Sequence, residues 1–519
     1  MNIISINELI SDRKIISTVK NINILYKITF ISTFIWGIFA HGMALFNKYS
    51  FHDDIFNIYY GTGATVSSGR WMLEIFNRIK LHLNFYYSIP VFYGLLVILL
   101  IAIINVLLVE FFSVKNIYFC IFLSGITIAF PTICSLFGYM FTSFYYTIGI
   151  FMAVFGAWLL CQHKHWYTNI IAVILMGSSL GVYQANIGIY VSFILLYMIK
   201  DTAENQRNVK AFCKYSLYYI ICIVSSFLFY LCINKLALYV CHATLTDYQG
   251  ISSMENISLS EYCQRILYAY RIFIFPSKYN EGDVIYSSKT IFIYWIVLCI
   301  TVLFTAVLIA EKWKEHKLYA IELLILILLF PLAVNFSYVI AEPSSVYSLM
   351  QYSHIFLYVY FSWLISKTDL VIPKKNILQT VATVCIFSLA LVYCRTANTH
   401  YFAVELKQQR AISYFTTLVA NIKSTENYKD DYSVVFINEK RNDLSFNEQD
   451  YFEFITYMPY RLSIVNNYSW KKFVKVWTGY DPVILEEDEF KDLPEVQDMP
   501  AYPDYGSIKV IDETVVVKF

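Results

Sequence analysis

"KYSFHDDIFNIYYGTGATVSSGRWMLEIFNRIK" runs from Lys48 to Lys80. It opens with two adjacent carboxylates, Asp53 and Asp54, and it closes on Gly69-Arg70-Trp71 followed by an amphipathic run. On either side lie apolar segments, about 26–46 and 89–112. Each is long enough to cross roughly 30 Å of hydrocarbon as a helix. The quoted stretch therefore reads as the first loop of a chain that repeatedly crosses a membrane.

The rest of the chain repeats that pattern. It has 519 residues, 58% of them hydrophobic and 15% charged, against roughly 25% charged in an average soluble domain. Eleven spans are expected, at about 26–46, 89–112, 117–134, 144–161, 169–182, 186–199, 215–236, 290–310, 318–340, 349–366 and 376–394. The N-terminal segment 1–25 is polar and mixed, unlike a cleavable signal. The first apolar run therefore reads as a retained span.

Lys and Arg gather in short cytoplasmic loops. Here Arg13, Lys14 and Lys20, then Lys115, Lys164, Lys200, Arg207, Lys210 and Lys214, fall on one side. Lys312, Lys314, Lys317, Lys367, Lys374 and Lys375 join them. That side is expected to be cytoplasmic. The 47–88 and 237–289 loops, and everything after 395, are then expected outside.

Residues 396–519 change character, with 20 acids against 13 bases, whereas residues 1–395 hold 18 acids and 26 bases. "DYSVVFI" and "SIKVIDETVVVKF" have the β-branched alternation of strands. "FAVELKQQRAISYFTTLVANI" has helical periodicity. A small α/β domain on the outer face is expected, with "EEDEF" (486–490) a solvated acidic loop. Of eleven cysteines most lie in spans, but Cys241 and Cys263 lie in an outer loop, where they could pair.

No spacing suggests a metal site, and nothing suggests a resident cofactor or nucleic-acid binding. "GTGATVSSG" lacks the lysine and flanking strand of a phosphate loop, so it reads as a flexible outer loop.

Asp53 and Asp54 permit several readings. In one, an acid of the pair caps a helix beginning near Ile55; in another, both carboxylates simply prefer water. The third reading depends on "SGRWMLEIFNRIKLHL", which places Trp71, Ile75, Ile79 and Leu83 on one helical face. Such a helix lies in the interface and sets Arg70 and Arg78 at phosphate depth. An acid beside a phosphate-reading cation suits transfer of a sugar from a lipid phosphate. The acid deprotonates an acceptor hydroxyl, and the cation stabilises the departing phosphate.

An outer "HDD" after the first span, then "SSGRW", resembles the Gtr-type (type II), O-antigen-modifying glucosyltransferases of bacteria. "SSLGVYQANIGIYV" (178–191) resembles a second feature of that family, a Tyr-Gln turn between the fifth and sixth spans. The resemblance covers about residues 25–360. It implies a GT-C-like membrane fold with no metal generally expected. It also implies an undecaprenyl-phosphate glucose donor, a lipopolysaccharide O-antigen acceptor on the periplasmic side of the inner membrane, and inversion at the anomeric carbon.

Carried onto this chain, the resemblance makes Asp54 or Asp53 the base, with Asp54 preferred. Arg70 reads the donor phosphate. Trp71 anchors the helix or stacks on sugar, and Tyr183 and Gln184 line the pocket or merely pack. Glu342 binds acceptor hydroxyls or caps the tenth span. Arg265, Arg271 and Lys278 form a second interfacial site or snorkel.

A lipid-linked-sugar flippase is disfavoured because the span centres are nearly free of charge. An O-antigen polymerase and a non-enzymatic scaffold remain as alternatives. A transferase needs the acid loop, the 70–80 helix and the Tyr183-Gln184 turn to converge on one cavity.

Overall fold

A computed structural model describes residues 22–438 and 457–519, except 50, 60, 64, 163–164, 206–207, 247–257, 277–287, 368–374 and 458–459. The helices in chain order are α1 (Ile24–Phe46), α2 (His52–Phe56), α3 (Trp71–His82), α4 (Pro90–Phe111), α5 (Ile117–Ala129), α6 (Pro131–Gly138), α7 (Met140–Gln162) and α8 (Trp166–Val182). Then follow α9 (Ile187–Glu204), α10 (Val209–Val240), α11 (Leu259–Ile274), α12 (Ser288–Glu315), α13 (Lys317–Val334), α14 (Phe336–Ile340), α15 (Ile355–Lys367) and α16 (Lys375–Lys423).

Local chemistry sets many of these boundaries. The Asn23 side chain accepts from Leu25 N–H at 3.0 Å and starts α1. Pro90 opens α4, where its missing N–H costs nothing. Pro131 separates α5 from α6, since proline cannot continue the ladder of the preceding helix. Asn208 starts α10 by accepting from Ala211 N–H at 2.8 Å.

The first helix inverts the soluble pattern. α1 buries Thr29, Ser32, Thr33 and Gly37, while Ile31 and Ile35 are 58% and 63% exposed. Small and polar groups inside with large aliphatics outside are what a hydrocarbon surround selects. The Asn105 amide reaches Thr33 Oγ1 at 3.0 Å across the α1–α4 contact. α10 likewise presents Leu217, Ile220, Ile221, Val224 and Leu228 outward.

Among the described residues eight helices are long and apolar enough to span a membrane. All eleven expected positions are helical, but three fall short of that standard. α8 has 17 residues, α15 has 13, and α9 carries Lys200, Asp201 and Glu204 in its last turn. The eleven-span count is therefore not reproduced.

The expected boundary at 395 falls inside α16, a single helix of 49 residues. Beyond it, β1 (Ser433–Ile437), α17 (Trp470–Thr478), β2 (Ile484–Leu485), α18 (Pro494–Gln497), β3 (Ile508–Ile511) and β4 (Thr514–Lys518) build the expected α/β unit. Its sheet order is β2-β1-β4-β3. β1 runs parallel to β2 and β4, and β3 and β4 form an antiparallel hairpin.

This unit is fastened to the bundle. Phe415 of α16 stacks on Trp470 at 6.1 Å between ring centroids, and the buried Lys407 ammonium donates to Tyr460 O at 2.9 Å. Tyr460 in turn donates to Cys134 O at 2.6 Å. Cys241 and Cys263 are both free thiols, so the disulfide that the sequence allowed is not formed.

Candidate active site

At the end of the bundle that carries the C-terminal unit lies a cavity of about 270 Å³. Its wall includes Asp53 from α2, Arg70 from the start of α3, Tyr146 from α7, Tyr183 from the end of α8, and Tyr347 and Leu349 from the chain between α14 and α15. The acid loop, the Gly-Arg-Trp turn and the Tyr-Gln turn thus meet at one place.

The two acids part company here. Helical neighbours point about 100° apart, and only Asp53 lines the cavity. Its carboxylate accepts from the Tyr468 hydroxyl of the C-terminal unit and lies 3.4 Å from His52 Nδ1. Partial burial pushes the Asp53 carboxyl up. The His52 imidazole and the Tyr468 hydroxyl outweigh that effect and hold it below the usual carboxylate value.

Asp54 is fully buried behind this wall. It pairs with Lys48 and accepts from Phe141 N–H at 3.0 Å and from Ser88 Oγ at 3.4 Å. Sequence preferred Asp54 as the base. In the structure its carboxylate ties the loop to α7 through Phe141 N–H.

Removing the Tyr468 hydroxyl tests the electrostatics of Asp53. The depressed carboxyl stays ionised on falling pH until its low value is crossed, so the acid limb of the activity profile lies below the ordinary range. Tyr468→Phe deletes a bond to the ionised form, so that limb moves to higher pH. A pH profile of kcat/KM for the two proteins measures this, and coincident acid limbs would refute it.

Arg70 reaches the cavity through a turn built for it. Val66–Ser68 form a short 3₁₀ turn closed by Gly69, whose φ is +76°, a conformation open to glycine. A Cβ there would stand 2.5 Å from Tyr230 Oη and 2.7 Å from Gln184 Nε2. Gln184 earns that closeness by donating to Ser68 O at 2.8 Å, while Tyr230 donates to Gly69 O at 3.3 Å. The Tyr-Gln turn therefore clamps the turn that presents Arg70. The guanidinium lies over Tyr183 at 5.2 Å and Tyr146 at 5.9 Å from the ring centroids, stacking that holds it aimed inward.

The "GTGATVSSG" stretch is accordingly anchored rather than free. Thr142 Oγ1 donates to Thr62 O at 2.6 Å, and the buried Lys80 ammonium to Gly61 O at 3.0 Å.

Other expected residues sit elsewhere. Trp71 is buried against α8, where a Cβ on Gly181 would meet its ring at 2.4 Å, so it neither floats at an interface nor lines the cavity. Ile75, Ile79 and Leu83 do form an exposed apolar row. Arg78 is exposed outside the cavity and paired with Glu74 at 2.8 Å. Glu342 is exposed at the start of the Pro343–Ser345 turn, makes no side-chain cap there, and lies well before α15. Arg271 is exposed in the last turn of α11, away from this cavity. Arg265 donates to Ile340 O at 3.1 Å, and Lys278 lies outside the described residues.

Sequence reading missed Tyr468, Tyr347 and Tyr146. Tyr347 is placed by Ser348, whose carbonyl accepts from Thr132 at 2.6 Å and whose hydroxyl meets that of Ser135 at 2.6 Å. Among the described residues, no group of three His, Cys, Asp or Glu side chains is arranged to hold a metal ion.

The fold and this cavity define a polytopic helical membrane protein with an acid and an arginine facing one space. Residues 42–358 match the family model described as glucosyl transferase GtrII. That segment is more than half the chain, and the chain belongs to this family of glucosyltransferases. No curated protein gives a significant match to it.

Proposed function

We propose that this chain moves glucose from a polyprenyl-phosphate carrier, undecaprenyl phosphate, to a hydroxyl of a lipopolysaccharide O-antigen repeat. The reaction takes place on the periplasmic face of the inner membrane, in a GT-C-like scaffold. The observation that supports it is the shared cavity of Asp53 and Arg70, set at one end of a lipid-facing bundle.

In this reading the acceptor hydroxyl enters beside Asp53. Its proton passes to the carboxylate as the acceptor oxygen bonds to the anomeric carbon. The bond from that carbon to the phosphate oxygen breaks from the opposite face, which inverts the configuration. The electron pair stays on the phosphate, where the Arg70 guanidinium stabilises the developing charge. Tyr183 and Tyr146 hold Arg70 in aim, and Gln184 fixes the turn beneath it. Asp54 acts by positioning α2.

Membranes carrying the chain, supplied with glucose-labelled polyprenyl phosphate and surface polysaccharide from the host, test this reading. Label should move to the polysaccharide, and Arg70→Ala should slow that transfer by about 10²-fold, as for other lost charge-stabilising donors. Failure of the wild-type chain to move label, or full activity of Arg70→Ala, would overturn it.

A further inference from the structure

A second, larger cavity of about 590 Å³ lies between the first loop and the C-terminal unit, within the ~300–1,000 Å³ range of ligand sites. Tyr59 and Tyr87 form one wall, and Lys471, Lys472, Lys475 and Tyr480 line the other. The lining holds three lysines and a single carboxylate, Asp481, which is engaged by Lys475.

Tyr87 is the residue that stands out. It is 54% exposed and sits at φ +69°, a conformation a bulky side chain rarely takes. Two backbone bonds enforce it, from Tyr87 N–H to Tyr59 O at 3.0 Å and from Ser88 N–H to Ile58 O at 2.9 Å. Its ring meets that of Tyr59 edge to face at 5.2 Å between centroids. Backbone strain that displays an aromatic ring to solvent is a mark of a binding surface.

The cavity is also wired to the acid. The Lys472 ammonium donates to Phe56 O at 2.8 Å, and Phe56 ends the same five-residue helix that carries Asp53. Tyr468, two residues before α17, bonds Asp53 itself. The short helix that lends Asp53 to the first cavity is thus bonded, through Phe56, to a lysine that lines this groove.

We infer that the groove is the acceptor subsite and takes an oligosaccharide segment of the glycan. Aromatic faces stack on the C–H faces of sugar rings. Lysine ammoniums donate to ring hydroxyls or to sugar carboxylates. A lipid-borne donor approaches from the apolar bundle, whereas this groove opens beside the charged C-terminal unit. The assignment rests on the reading that Asp53 serves as the base.

The test uses the full chain in nanodiscs, with polysaccharide released from the host surface as the probe. Tyr87→Asn removes the ring while tolerating positive φ, and Lys471→Ala removes a charge from the opposite wall. Together they should weaken polysaccharide binding, read by calorimetry, about tenfold, and raise the acceptor KM to match while the donor KM moves less than twofold. Unchanged polysaccharide affinity would overturn the inference, as would a rise in the donor KM instead. Displacement of the polysaccharide by phosphatidylglycerol vesicles would make the groove a headgroup site and also overturn it. If the wild-type chain transfers no glucose, the proposed reaction falls, yet affinity lost in the variant still upholds the groove.

Discussion

Asp53→Asn should lower glucosyl transfer by about 10²–10⁴-fold, the range for loss of a positioned general base, while membrane abundance stays at the wild-type level. Asn is the same shape, and its amide oxygen can still accept from the Tyr468 hydroxyl that bonds Asp53. The side chain is 41% exposed, so its contribution to stability is small. What disappears is the capacity to take a proton. Initial rates with labelled donor, set against an immunoblot of the membrane fraction, read both quantities. Transfer within tenfold of wild type would remove Asp53 from the mechanism.

The adjacent acid should fail in a different way. Asp54→Ala strips a buried carboxylate from Lys48 and leaves Phe141 N–H without its acceptor. Breaking a buried ion pair from one side costs about 3–5 kcal/mol. The lower end, about 3 kcal/mol, is expected here, because the Lys48 side chain keeps 21% of its surface exposed. The protein should melt earlier in detergent and accumulate poorly. Lys48→Ala combined with Asp54→Asn should recover most of that loss, since no charge is then stranded and the amide still accepts from Phe141. A normally stable but inactive Asp54→Ala would reverse the assignment and make Asp54 the base.

That contrast shows where sequence reading stops. Hydropathy is a local property, so the alternation of apolar run and loop was legible, and every expected span position is helical. The strands around Val435 and Val516 were legible for the same reason. The lengths of α8 and α15 were not. α8 ends at Val182, and the chain turns at Tyr183 so that Gln184 can reach Ser68. α15 begins only after the 3₁₀ turns that present Tyr347. Both limits are set by partners more than a hundred residues away.

The site was legible in kind and not in detail. Two neighbouring acids on a helix diverge by about 100°, and nothing in "HDD" says which one faces the cavity. Arg70 and Tyr183 could be named because each sits in a distinctive turn, Gly-Arg-Trp and Tyr-Gln. Tyr468 sits in "NNYSW", with no periodicity or motif to mark it. Its role exists only because α16 carries the C-terminal unit back over the first loop.

That unbroken helix of 49 residues is roughly 74 Å long at 1.5 Å per residue, more than twice the thickness of a bilayer core. It works as a threaded shaft, in which height and azimuth are locked together. Each inserted residue would raise the cap by about 1.5 Å and swing it by about 100°, carrying Tyr468 away from Asp53. The stature of the cap above the bundle can therefore drift only in near-whole turns, three or four residues at a step, and any finer adjustment falls to the loops that join it to the shaft.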